Sequence, residues 1–210
     1  SYSNSSDSPT TAARTVSYVV NDGQLNASPV TATITVIASN DAAVITGSST
    51  ASLTETDDIH STGGTRSISD VDSDESFQEQ TDTAGSNGYG QFSLSSAGVW
   101  TYTMNSAQNQ FVKDQIYTDS FTAVAADGTE QTVTVTMTGA NDAPVISAST
   151  VNNLPENTGA ILSGSLKFNY ADDDGHAQAG VIFTELPDAA KANLLLNGVA
   201  VTANTLVTIA

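Results

Sequence analysis

The chain has 210 residues, no cysteine, and a formal net charge of −18 from 23 acidic against 5 basic residues, while only 13% of its residues are charged. That balance disfavours nucleic acid and anionic membrane surfaces, both of which are bound through Lys and Arg; no run of 18 apolar residues is present to insert into a membrane. Without cysteine there is neither a disulfide framework nor a thiolate metal site, and the first residues lack the basic and apolar regions of a signal peptide, so targeting signals are expected outside this segment.

In chain order, a Ser-rich stretch (residues 1–11) gives way to period-2 alternation at Thr15–Val20 and Val30–Ile37, separated by a turn at Asn21-Asp22-Gly23. Apolar and polar residues alternating in this way predict half-buried strands, here the last hairpin of a β-sandwich. Further strands are predicted at Thr65–Ser69, Tyr89–Leu94, Val99–Met104, Ser120–Val124 and Gln131–Thr138, with Gly- and Asn-rich turns between them. Trp100 and Tyr102 share a sheet face and are expected in the core, where Phe92, Phe121 and Trp100 form the central cluster. Beyond residue 143, strands are predicted at Leu166–Tyr170, Val181–Leu186 and Leu194–Val201, the last folded back at Asn197-Gly198, a strong two-residue hairpin signal. Short alternating strands without a helical period predict an all-β chain of tandem immunoglobulin- or cadherin-like β-sandwich repeats.

The elements recur in register. Asn40-Asp41-Ala42 returns as Asn141-Asp142-Ala143 after 101 residues, Leu53-Thr54-Glu55 as Leu154-Pro155-Glu156 after 101, and Asp70-Val71-Asp72 as Asp172-Asp173-Asp174 after 102. The step predicts three units: the end of one repeat (1–40), a complete repeat (41–142) and the beginning of another (143–210). Every recurring polar landmark is a carboxylate or an amide, which points to a hard, oxygen-seeking cation, and Ca²⁺ accepts such irregular oxygen sets more readily than octahedral Mg²⁺. Alternation along one strand would put Asp70 and Asp72 on the same face, where two carboxylates repel without a cation between them. Asx turns would explain Asp22, Asp41, Asp127 and Asp142 without any ion.

The middle unit resembles the VCBS repeat of large bacterial surface proteins. The resemblance runs through Ile68-Ser69-Asp70-Val71-Asp72, Gly88–Leu94, Gly98–Tyr102 and Asp119–Thr122 to Asp127-Gly128 and Gly139–Pro144. The flanking units are similar to bacterial cadherin-like repeats, at Val19–Gly23 and at Phe183–Pro187 with Leu194–Val199. The resemblance implies a stalk of an RTX-type adhesin of the biofilm kind, secreted to the bacterial cell surface. A more distant similarity to cadherins implies which oxygens gather at each junction. The first would take Asn40, Asp41, Asp70, Asp72 and Asp127, its upstream ligands being missing from this segment; the second would take Glu55, Asn141, Asp142, Asp172 and Asp174. Ala43 stands where the pattern has Pro144, and Asp173 stands where the first set has Val71, so the ligand within 172–174 is left open.

The expected function is therefore a non-enzymatic extender whose partners are neighbouring repeats, with head-to-tail copies of the same chain completing one another's end units. A module that binds a surface glycan or protein is the main alternative, and accessory repeats of a secreted hydrolase are a third. Catalysis is not expected: the acidic residues fall at turns and domain ends, not across a cleft as a glycosidase pair requires. His60 and His176 share no metal-ligand spacing, and no Ser sits in a nucleophile elbow.

Overall fold

The computed structural model describes residues 2–147, 169–186, 188, 195–196 and 199–208, which divide into two compact units, residues 1–108 with 116–138 and residues 109–115 with 139–210. Among the described residues every regular element is a strand.

The first unit opens with an antiparallel hairpin, β1 (Arg14–Tyr18) and β2 (Val30–Ile34), paired from Arg14↔Ile34 to Tyr18↔Val30. Its turn is held by Asp22, whose carboxylate accepts the amides of Gln24 and Leu25. A two-sheet sandwich follows. One sheet holds β3 (Val44–Gly47), β5 (Ser61–Ser69), β8 (Val99–Met104), β7 (Gly90–Leu94) and β6 (Gln80–Ala84) in the order β3-β5-β8-β7-β6; the other holds β4 (Thr50–Thr54), β10 (Glu130–Thr138) and β9 (Ile116–Val124) in the order β4-β10-β9. All pairs are antiparallel except β4 with β10.

Sequence alternation locates most of this sandwich but misses β3, β4 and β6, and it starts β5 and β9 late. β3 and β4 are one edge segment divided between the two sheets. The crossing falls at Gly47, which adopts φ 87° and lies so close to the Thr65 carbonyl that a Cβ there would overlap it. On the far side the Ser49 carbonyl accepts the Thr134 amide and carries the chain onto β10.

The core lies between the sheets. Phe92, Leu94, Trp100, Tyr102 and Met104 point inward from one, and Phe121, Ala123, Val133, Val135 and Met137 from the other. The expected aromatic cluster is present: Phe92 stacks on Phe121 with ring centroids 4.6 Å apart and tilts against Trp100 at 6.4 Å. Trp100 and Tyr102 are fully buried on one face of β8, which removes them as a sugar-stacking surface. The Trp100 indole donates to the Ser48 carbonyl at 2.9 Å, as a buried N–H requires. Arg66 is buried as well, and its guanidinium donates to the Gly47 carbonyl and the Gln131 side chain.

In the second unit, β11 (Val145–Ser147) pairs with β12 (Asn169–Ala171), β13 (Gly180–Ile182) with β16 (Leu206–Thr208), and β14 (Leu195–Leu196) with β15 (Val199–Ala200), all antiparallel. The predicted hairpin is present in its flanks, through Leu196↔Val199, although Asn197-Gly198 itself lies outside the described residues. So do Leu166 to Phe168 of the predicted strand and the Leu154-Pro155-Glu156 landmark. The strand expected over Val181–Leu186 is only three residues long and starts at Gly180.

Candidate cation-binding loops

The first loop follows β5. Its last residue, Ser69, pairs with Val44 of β3, so the chain leaves the sheet beside the linker segment 40–43. Asp70 and Asp72 do not lie on a strand as alternation predicts. They come together through a tight turn in which Asp70 Oδ1 accepts the amides of Asp72 at 2.9 Å and Ser73 at 2.8 Å. A carboxylate that captures amides two and three residues ahead bends the backbone more cheaply than extended pairing, because the local acceptor replaces the missing ladder.

The linker docks onto this turn. The Asp41 amide points at the Asp72 carboxylate, 3.3 and 3.4 Å from its two oxygens, and the Ser73 hydroxyl donates to Asn40 Oδ1 at 2.8 Å. Asp127, in the β9–β10 turn, accepts the Ala43 amide at 2.9 Å and the Thr129 hydroxyl at 2.6 Å. Ala43 therefore supplies a donor that Pro lacks. The structure thus gathers Asn40, Asp41, Asp70, Asp72 and Asp127 around one end of the sandwich. An open cleft beside the turn is lined by Asp7, Asp41, Asp70 and Glu75.

The electrostatics of Asp127 and Asp72, both half-buried, are opposite. Asp127 is held down to about 2, first by the Thr129 hydroxyl and amide and then by the Ala43 amide. Asp72 is pushed above the ordinary carboxylate range, first by partial burial and then by the nearby Asp70 and Asp41 carboxylates. A lowered folded-state value means that Asp127 contributes stability that is complete above its ordinary titration range and drains away as pH falls towards about 2. Ionised Asp72 does the reverse and costs stability at neutral pH, a cost relieved on acidification. In metal-free buffer, Asp127→Asn should flatten the acid limb of the stability curve below about pH 4, the ordinary Asp range; denaturant midpoints measured across pH 2–6 check it, and an unchanged acid limb contradicts the assignment.

The second loop repeats the first in register. Val145 pairs with Ala171 as Val44 pairs with Ser69, and the Asp142 amide donates to Asp174 Oδ2 at 2.8 Å as the Asp41 amide approaches Asp72. Asn141 donates to its neighbour's carbonyl at 2.9 Å, as Asn40 does. Asp172 and Asp174 therefore stand where Asp70 and Asp72 stand, and Asp173 takes the exposed place of Val71. Asp174 also accepts the Lys113 amide, which holds its carboxyl below the ordinary range. Of the second expected set, Asn141, Asp142, Asp172 and Asp174 belong to this unit. Glu55 belongs to the first unit, buried just after β4 with its amide on the Thr138 carbonyl. Donor atoms of Asp172, Asp174 and His176 lie within 4.8 Å of one another. His176 was missed from sequence because a lone His two residues beyond an Asp carries no ligand spacing of its own.

One site the sequence did not announce is inside the sandwich. Asp119, 1% exposed, accepts the amides of Asn87, Tyr89 and Gly90 at 2.9 to 3.1 Å and lies 3.3 Å from the Tyr102 hydroxyl. It organises the β6–β7 turn and is structural.

Residues 40–139 match the bacterial cadherin-like domain. The match supports a cadherin-like repeat over this stretch, and the divided β3–β4 edge and the β9–β10 hairpin that presents Asp127 both lie within it. No curated protein matches the chain. Among the described residues no helix is long and apolar enough to cross a membrane.

Proposed function

We propose that this chain is a non-enzymatic extender segment of a secreted bacterial adhesin, built from cadherin-like and VCBS-type repeats that calcium stiffens where one repeat follows another. The repeat boundaries are those of the sequence register: 1–40, 41–142 and 143–210. The cadherin-like match supports an adhesion-type extracellular module. The observation that carries the calcium reading is Asp70 Oδ2, which is buried without a hydrogen-bond donor, while the neighbouring Asp72 carboxyl is raised by partial burial and then by the Asp70 and Asp41 carboxylates. A buried carboxylate oxygen left without a donor costs about 1–3 kcal/mol or more, and a cation shared by Asp70 and Asp72 removes both the desolvation and the repulsion. Calcium suits the set because carboxylate, amide and backbone carbonyl oxygens all ligate it with flexible geometry. Asn40, Asp41 and Asp127 are the remaining candidates at this loop, with Asp7 and Glu75 facing the adjoining cleft.

The test is Asp72→Asn. In EDTA the variant should be no less stable than the parent, since it removes a repelling charge, yet its melting temperature should lose most of the calcium-dependent rise attributable to the first loop. A variant that keeps the full rise refutes the ligand role.

A further inference from the structure

The β1–β2 hairpin has a counterpart inside the sandwich. β2 and the residues after it carry Thr33-Ile34-Thr35-Val36 where β10, 101 residues on, carries Thr134-Val135-Thr136-Met137. The cross-strand pairing then matches as well: Val16↔Ala32 and Arg14↔Ile34 in the first hairpin stand where Phe121↔Val133 and Asp119↔Val135 stand in the second. Both hairpins turn through Asp-Gly, with Gly23 at φ 96° and Gly128 at φ 93°. They differ at one corner, where Arg14, 5.6 Å over the Tyr2 ring, takes the place of Asp119. Their surroundings differ far more. β9–β10 is covered by the opposite sheet, so Phe121 is 6% exposed and Val133 and Val135 are fully buried. β1 and β2 form a two-stranded sheet of their own, and on the equivalent face Val16, Tyr18 and Val30 are 46 to 51% exposed. An isolated hairpin is marginal in water until such a face is covered.

We propose that the β1–β2 face is covered by the 143–210 unit of a second copy of this chain, so that copies join head to tail. The inference rests on the repeat boundaries of the proposed extender and not on its calcium. Residues 143–210 run one 101-residue step on from residues 42–109, which hold β3 to β8, the part of a repeat that lies against β9–β10. Residues 1–40 run one step before residues 102–141, which hold β9 and β10 themselves. The two segments are therefore complementary parts of one repeat, and the pairing within the middle sandwich shows that such parts fit in register and in hydrophobic pattern. The receiving unit offers apolar surface too: Ile182 of β13 and Leu206 of β16 are cross-strand partners, 54% and 53% exposed. Bringing these residues against Val16, Tyr18 and Val30 takes both faces out of water. Because the two surfaces are different, each added copy leaves one hairpin and one 143–210 unit free, and the contact extends without closing.

The experiment is sedimentation equilibrium of the full chain over a rising concentration series, in EDTA and again in calcium. The weight-average mass should climb past that of a dimer in both buffers. Val16→Asp puts a charge into the hairpin face and Leu206→Asp puts one into the receiving face, and each variant alone should stay monomeric. Mixed, they should form a 1:1 dimer and nothing larger, since Leu206→Asp still supplies a hairpin and Val16→Asp still supplies a 143–210 unit. Neither variant needs its altered part to fold for this result. A parent chain that stays monomeric throughout, as closure within one molecule would give, overturns the proposal. Leu206→Asp associating as the parent does, the mark of hairpin-to-hairpin pairing, overturns it as well, and so does a mixture that remains monomeric. Failure of the calcium reading would appear separately, as a melting temperature that calcium does not move while the mass series is unchanged.

Discussion

Asp119→Ala should destabilise the sandwich by about 3–5 kcal/mol, the sum expected when several buried donors lose a charged acceptor at about 1–3 kcal/mol each, less local relaxation. The Asn87, Tyr89 and Gly90 amides would point into a cavity from which the carboxylate they donate to had gone. The turn cannot close over that cavity, because it is itself shaped around the carboxyl group: a Cβ at Gly85 would overlap Asp119. Asp119→Asn is expected to cost nearly as much, since an amide group presents N–H where one of the two acceptors stood. Urea midpoints at neutral pH check both; a loss under about 1 kcal/mol for the alanine variant would show that water replaces the carboxylate without strain.

Calcium at about 10 mM should raise unfolding stability by about 1.5–3 kcal/mol per occupied loop, taking affinities of roughly 10⁻⁴ to 10⁻³ M for extracellular modules. For a sandwich of this size that corresponds to a melting temperature higher by around 10 °C. The gain is large because the metal-free protein carries a standing repulsion: −18 net charge overall and, at the first loop, Asp70, Asp72 and Asp41 close enough for Asp72 to be raised. Simple salt screens exposed charges but does not supply a donor to the buried oxygen of Asp70. The rise should therefore survive in about 0.15 M sodium chloride. Equal melting curves in EDTA and in calcium would remove the basis for a calcium-stiffened stalk.

The contrast between strands and loops explains what could be read in advance. The strands of the sandwich interior are legible because their inward residues alternate: Trp100, Tyr102 and Met104, or Val133, Val135 and Met137. Burial of one face imposes a period of two on any strand long enough to show it. β3 and β4 are short edge strands with one or two half-buried positions each, so their sequence carries almost no period. The repeat of Asn-Asp and of the paired Asp residues was legible as well, because equal spacing survives whatever the backbone does between the landmarks.

Length, charge, absence of cysteine, all-β class and the step of 101 to 102 residues between equivalent acidic positions were determined by the sequence alone. The tertiary structure decided which of those acids meet, and how. Asp70 and Asp72 converge by a turn that Asp70 itself stabilises; Asp172 and Asp174, rather than Asp173, take the equivalent places; Asp7 lines the cleft beside the first cluster and His176 lies in the second; and Asp119, one Asp among many in the sequence, is buried inside the sandwich. Each outcome depends on a backbone amide or a sheet edge brought from far along the chain, as when Ala43 meets Asp127. Hydrophobic periodicity records only whether a residue faces in or out, so it cannot specify which distant donor a carboxylate will find.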